Sequence, residues 1–288
     1  MDIRQIYPDQ YPLQLRQAKM VPDVLNIIGE LPGPEYKYLC VIGARKYTAY
    51  GQKACQRLVS SLKGYPVAIV SGLAIGIDSM AHETALEVGL KTVAFPGSGL
   101  DRKVLYPSSK RTLAERIIQS GGALVSSFSN EQASTQWTFP VRNQLMAAIS
   151  HAVLIVEGAE KSGTLLTAGY AAEMNRDLMV VPGSIFEPTS YGPHSLLREG
   201  AMAISNSNDL LDDLGFSTGQ SSRQFSSQNI ALSPDHQKIV AQLQISPLSA
   251  SELMIKIGLS VMQIQTLISQ LELAGIVQQN QGVYRINY

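Results

Sequence analysis

Arg45 and Lys46 stand just beyond Gly43, at the end of the apolar run Leu39-Cys40-Val41-Ile42. A glycine there lets a ligand approach the backbone, and two neighbouring cations suit an anion. An Arg in a loop can equally serve only to be solvated. A second run, Val153-Leu154-Ile155-Val156, leads through Glu157-Gly158 to Lys161-Ser162-Gly163-Thr164. A point charge, two hydroxyls and the N–H groups of a helix start could hold a phosphate; a simple capped turn is the other reading. Ser71-Gly72-Leu73-Ala74-Ile75-Gly76-Ile77-Asp78 joins a strand to a helix through two glycines, whose amides could cradle an anion. Those glycines lie four apart and no Gly-Lys-Ser/Thr follows, so neither a dinucleotide nor an NTP is implied.

Asp78 and His82 share a helical face at i, i+4. A metal or acid–base pair is one reading. Asp78 complementing the helix N-terminus, with His82 packed nearby, is the favoured one, because no third ligand stands at suitable spacing. Three further loops complete the set: Pro96-Gly97-Ser98-Gly99-Leu100-Asp101 with Tyr106-Pro107, Phe139-Pro140-Val141-Arg142-Asn143, and Val181-Pro182-Gly183-Ser184. Pro140 suits the first turn of a helix. Arg142 there opposes the macrodipole, so an anion or an acidic neighbour is expected to compensate it.

The elements that must position these loops are legible as a pattern. Apolar runs at 39–42, 67–70, 92–95, 123–126, 152–156 and 178–181 show little polar alternation, as in strands buried on both faces. Helical spacing fills 50–62, 77–88, 108–120, 141–149 and 165–174. Strand alternating with helix predicts an extended Rossmann-like α/β fold, a mostly parallel sheet with flanking helices. Ligands of such sheets bind at the carboxyl ends of strands, where the Gly-rich and charged loops fall.

Residues 1–38, with a repeated Tyr-Pro, are expected to pack as a prelude on a core domain of 39–216. The Ser/Gln-rich stretch 217–231 reads as a flexible linker. Within 232–288, helices are expected at 234–243, at 249–257 with a Ser249/Glu252 capping box, and at 261–274, ending at Gly275. Two strands, 276–279 and 283–286, around Asn280-Gln281-Gly282 complete a small C-terminal winged-helix domain.

Lys plus Arg and Asp plus Glu number 23 each, so whole-chain electrostatics gives no pull on nucleic acid and any basic site must be local. Residues 39–211 hold 15 Lys and Arg against 13 Asp and Glu, while 232–288 hold three of each. The helix at 261–274 has neither Lys nor Arg. A neutral winged helix is a poor duplex binder, which favours a protein-interaction or auxiliary role for it. Cys40 and Cys55 read as buried thiols. Neither a disulfide framework nor a zinc site is suggested, and no apolar run suits a signal region or a bilayer. No cofactor, no metal, no membrane association and a reducing cytoplasm are the expectations.

Taken in order, Gly-x-Arg, Ser-Gly-Leu-Ala-x-Gly-Ile-Asp-x-x-Ala-His, Gly-Ser-Gly-Leu-Asp with Tyr-Pro, Phe-Pro-x-Arg-Asn, Lys-Ser-Gly-Thr and Val-Pro-Gly-Ser resemble the DNA-processing protein A (DprA/Smf) family over about residues 39–205. The resemblance implies a non-catalytic, dimeric protein that binds single-stranded DNA, protects incoming DNA and helps to load the RecA recombinase during natural transformation and recombination. It implies that Arg45 and Lys161 contact the strand, with Gly43 and Lys46 beside them and Ser162, Gly163 and Thr164 in the second loop. Ser71, Gly72, Gly76 and Asp78 would shape the pocket, with Arg142 and Asn143 next to it. Ile75 and Gln144 stand where the family usually has Arg, Ser126-Ser127-Phe128 where a Ser-Glu pair is usual, and Pro193-His194 where Thr-Asn is usual. Fewer cations imply a shallower salt dependence of binding.

Two other classes compete. A phosphoribohydrolase-like enzyme on a nucleotide phosphate would use Asp78, His82 and Glu157 as acid–base groups, and fold alone does not separate it from a binding protein. A winged-helix transcription regulator is disfavoured by the absence of cations on 261–274.

Overall fold

A computed structural model describes residues 2–18, 21–216, 233–273, 276–280 and 283–286, in two units that divide between Gly219 and Gln220. The expected linker at 217–231, the helix stop at Gly275 and the turn residues Gln281-Gly282 lie outside the described residues.

The first unit runs β1 (Arg4–Ile6), α1 (Leu13–Arg16), β2 (Leu25–Gly29), β3 (Lys37–Ile42), α2 (Ala49–Ser61), β4 (Val67–Ser71), α3 (Ile77–Val88), β5 (Lys91–Ala94), α4 (Arg111–Gln119), β6 (Ala123–Ser126), α5 (Thr138–Ile149), β7 (Ala152–Ile155), α6 (Gly163–Glu173), β8 (Asp177–Val180), α7 (Tyr191–Arg198), β9 (Met202–Ala203) and α8 (Ser207–Asp213). The sheet order is β1-β2-β6-β5-β4-β3-β7-β8-β9. From β6 to β9 every neighbour is parallel; only β1–β2 and β2–β6 are antiparallel. The prelude therefore does more than pack on the core, since it adds two strands to the sheet.

The continuous apolar runs have a simple cause. In β3, Tyr38, Cys40 and Ile42 face one core while Leu39 and Val41 face the other. In β7, Val153 and Ile155 take the first side, Ala152 and Leu154 the second. Period-two alternation is thus present, but both faces are covered by helices and both need apolar residues. Cys40 and Cys55 are buried and unpaired. The helical pattern at 108–120 opens as a 3-10 turn over Ser108–Lys110 before α4, and α5 begins at Thr138, three residues before the sequence pattern places it.

In the second unit, α9 (Pro234–Ile245), α10 (Ala250–Ile257) and α11 (Val261–Leu273) precede the antiparallel pair β10 (Val277–Asn280) and β11 (Val283–Ile286). Ser249 and Glu252 form the expected capping box. Ile239, Leu243, Leu253, Ile264, Ile268 and Leu271 bring the three helices into one core. This is a winged-helix arrangement. Among the described residues no helix is long and apolar enough to cross a membrane.

Candidate functional site

From β3 the chain proceeds through β4, β5 and β6 to one side, and from β7 through β8 and β9 to the other. The direction of winding reverses between β3 and β7, which opens a crevice at their carboxyl ends. The loop after β3 carries Gly43, Arg45 and Lys46, and the loop after β7 carries Lys161 and Ser162. Parallel pairing of β3 with β7 puts both loops on one edge of the sheet, from adjacent strands. Arg45, Lys46 and Lys161 are exposed.

Beside the crevice lies a shallow open cleft lined by Arg45, Gly72, Ile75, Tyr106, Phe139 and Arg142 among others. The Arg45 guanidinium lies 5.7 Å from the centre of the Phe139 ring, and that of Arg142 5.8 Å. Tyr106 meets Phe139 at 5.8 Å between ring centres. Ile75 is 53% exposed at the rim. An aromatic floor with a cation above it suits a flat, anionic ligand. In the sequence Phe139 and Tyr106 stand only as parts of motifs, and nothing in it singles out Trp137, which contacts Phe128 edge-on at 5.4 Å. Their side-chain positions arise from loops far apart in sequence, and local spacing carries no signal of that.

Arg142 does not project into solvent. It is 6% exposed, donates to the carbonyls of Gly72 and Phe95, and passes Nε–H to Asn143 Oδ1 at 2.9 Å. Asp78 is its acidic neighbour and accepts from the Gly72 amide at 3.1 Å. Burial pushes the Asp78 carboxyl up, against the opposing influence of Arg142 and of hydrogen bonds from the Gly72 and Gly43 backbone. The acidic compensation expected for Arg142 is therefore present. The pair ties together the ends of β3, β4 and β5, and Asn143 extends the tie by donating to the Gly163 carbonyl at 3.3 Å. Arg142, expected beside the pocket, thus braces it: Nη1 and Nε hold the Gly72 and Phe95 carbonyls and Asn143, and the residue still lines the cleft.

The glycine turn after β4 also differs from an open amide cradle. The Gly72 amide is taken by Asp78, and the Ile77 amide donates to the Ala44 carbonyl at 3.3 Å. Ser71 is buried and its hydroxyl donates to the Val41 carbonyl at 2.6 Å. Gly76 has φ +101°, and a Cβ there would lie 2.4 Å from the Ala44 carbonyl oxygen and 2.7 Å from Arg45 Cα. The turn after β4 is packed against the loop that presents Arg45.

At the other loop, Ser162 is the N-cap of α6 but makes no side-chain cap, and its Oγ is buried without a hydrogen-bond partner. Gly163 opens the helix and Thr164 is buried. The enzyme candidates Asp78, His82 and Glu157 are all buried. Glu157 is 4% exposed and accepts from Thr48 N–H at 3.0 Å and Thr48 Oγ at 2.5 Å. His82 is fully buried against Thr92, and burial drives its pKa down to about 3, which leaves it neutral near pH 7. Among the described residues no cluster of three His, Cys, Asp or Glu could hold a metal ion.

Fold and site define an extended Rossmann-like protein with a switch-point crevice, carrying a winged-helix domain. The profile of the family described as DNA recombination-mediator protein A matches residues 3–215, and that of the DprA winged helix domain matches 224–282. Protein Smf of Escherichia coli is 33% identical over 95% of this chain and 74% of its own length. DNA processing protein DprA of Streptococcus pneumoniae is 34% identical over 73% of each chain. The solved structure of that pneumococcal protein superposes with a TM-score of 0.68 at 30% identity, covering 74% of this chain and 75% of the other. A structure of DNA processing protein A from Helicobacter pylori, whose subject is that protein's single-stranded DNA binding mode, gives a TM-score of 0.66 at 26% identity over 75% of this chain and 97% of the other. The chain belongs to the DNA recombination-mediator protein A (DprA/Smf) family of DNA processing proteins.

Proposed function

We propose that this chain binds single-stranded DNA without catalysing a reaction on it, and that the strand lies across the crevice between β3 and β7. The observation that carries this reading is the arrival of Arg45, Lys46 and Lys161 on one sheet edge, beside the Phe139–Tyr106 floor. Cations and ring faces together hold unpaired nucleotides with little regard to sequence. The single-strand binding mode described for the Helicobacter pylori relative supports the same ligand. Arg45 and Lys161 contact the strand. Gly43, Gly72, Gly76 and Ser71 let the loops approach one another, and Asp78, Arg142 and Asn143 brace them. Ser162, Gly163 and Thr164 offer the start of α6 to a phosphate.

By family membership we further propose a role in recombination: the chain, as a cytoplasmic homodimer, protects incoming single strands and helps RecA to assemble on them during natural transformation. The non-catalytic reading is supported by the burial of Asp78, His82 and Glu157, with Asp78 and Glu157 holding backbone amides.

Arg45→Ala and Lys161→Ala should each weaken oligothymidine binding by about 1–3 kcal/mol, the scale of hydrogen bonds to charged groups. Fluorescence anisotropy reads this directly, and unchanged affinity in both variants would remove the assignment.

A further inference from the structure

Apolar side chains gathered on one part of a surface mark a place that something else covers, whereas singly scattered ones need no explanation. In the first unit their distribution is uneven. Apart from Tyr7 and Leu13 near the N-terminus, those described as exposed lie in the loops after β3, β4, β5, β6 and β8 or in the opening turns of α2, α5, α6 and α7. All of these belong to the carboxyl edge of the parallel strands. The two most exposed are Ile185 and Phe186, at 81% and 87%.

Ile185 and Phe186 are not part of the Phe139 cleft. They follow β8, which is three strand positions from β4, or roughly 14 Å at about 4.8 Å per strand. The tip that carries them is defined. Phe186 N–H donates to Ser184 Oγ at 3.2 Å, and Glu187 N–H to the Ser184 carbonyl at 3.1 Å. The same segment is fastened to the loop of Lys161, since Gly158 N–H donates to the Thr189 carbonyl at 2.7 Å and Gly192 N–H to the Gly158 carbonyl at 2.8 Å. An exposed aromatic ring is thus held on the far side of Lys161 from the cleft.

We propose that Phe186, flanked by Ile185, is a second nucleobase-stacking station, reached by the strand after it leaves the Phe139 floor and passes Arg45 and Lys161. This rests on the single-strand reading of the crevice. Any base presents a π-face to a ring, so the station adds affinity without adding sequence preference. A nucleobase is the occupant because the tip is hydrogen-bonded to the loop of Lys161 and so continues the cationic path proposed for the strand.

The test uses the full chain with a 20-residue oligothymidine, comparing the native protein with Phe186→Ala and Phe186→Trp at matched melting temperature. Phe186→Ala should lower affinity about fivefold or more, the lower end of single-base stacking. Phe186→Trp should retain near-native affinity, and its added indole emission should be quenched on strand binding, beyond any change seen for Trp137 in the native protein. Native affinity in Phe186→Ala, while the native chain binds the strand, overturns the second station and leaves the crevice reading standing. Failure of the native chain to bind oligothymidine overturns both.

Discussion

Gly76 shows how finely the crevice depends on single residues. Its φ of +101° lies where only glycine is at ease, and its missing Cβ is what allows the Ala44–Arg45 backbone to sit against it. Gly76→Ala should therefore cost about 1–3 kcal/mol of stability, the scale of a strained backbone residue, and should also weaken strand binding by displacing Arg45. Urea denaturation and anisotropy on the same variant check both; a stable variant with weakened binding would locate the strain in the loop alone. The sequence pointed to Gly76 but to a different use of it, as part of an amide cradle. Amides look available in a sequence because their partners are set by tertiary contact, and here Asp78 and Ala44 take those of Gly72 and Ile77. Arg142 at its helix start meets the acidic neighbour expected for it, Asp78, while the Gly72 and Phe95 carbonyls that also hold it come from segments distant in sequence. Arg45 and Lys161, by contrast, needed only strand ends and pairing order to be placed.

Among the elements, the parallel strands were legible because helices cover both faces and leave uninterrupted apolar runs. β2 was not recognised, although Leu25–Ile28 are all apolar or buried, because an antiparallel strand at the margin has no crossover helix to announce it. The exposed aromatic residues were equally silent, since composition does not say which edge a loop leaves. In the second unit, the sequence reading and the structure agree on helix order and on the capping box. The exposed positions of α11 include Val261, Met262, Gln265 and Ser269, with no cation among them. Phosphate neutralisation supplies most of non-specific duplex affinity, so this helix should contribute little of it. Gln265→Lys with Ser269→Lys should raise duplex affinity and steepen its salt dependence by about one unit of slope per effective contact. Single-strand affinity should stay as it was. A double variant with unaltered duplex binding in a filter-binding titration would show that charge is not what this helix lacks.

At the scale of the whole molecule, a chain of zero net charge must bind an anionic polymer through a local site. The proposed site lies on one edge of one sheet and has three exposed cations, Arg45, Lys46 and Lys161. Ile75 at the rim carries no charge where the family resemblance leads one to expect Arg, so the salt dependence should be correspondingly shallow. The most direct measurement is a titration of labelled oligothymidine against duplex of equal length, at several salt concentrations, for the native chain and for the Arg45→Ala, Lys161→Ala double variant. The expected result is preference for the single strand, with a log–log salt slope of about −2, from three cations at roughly 0.7 each, and a clearly shallower slope in the double variant. Equal affinity for duplex, or the same slope in both proteins, would contradict it.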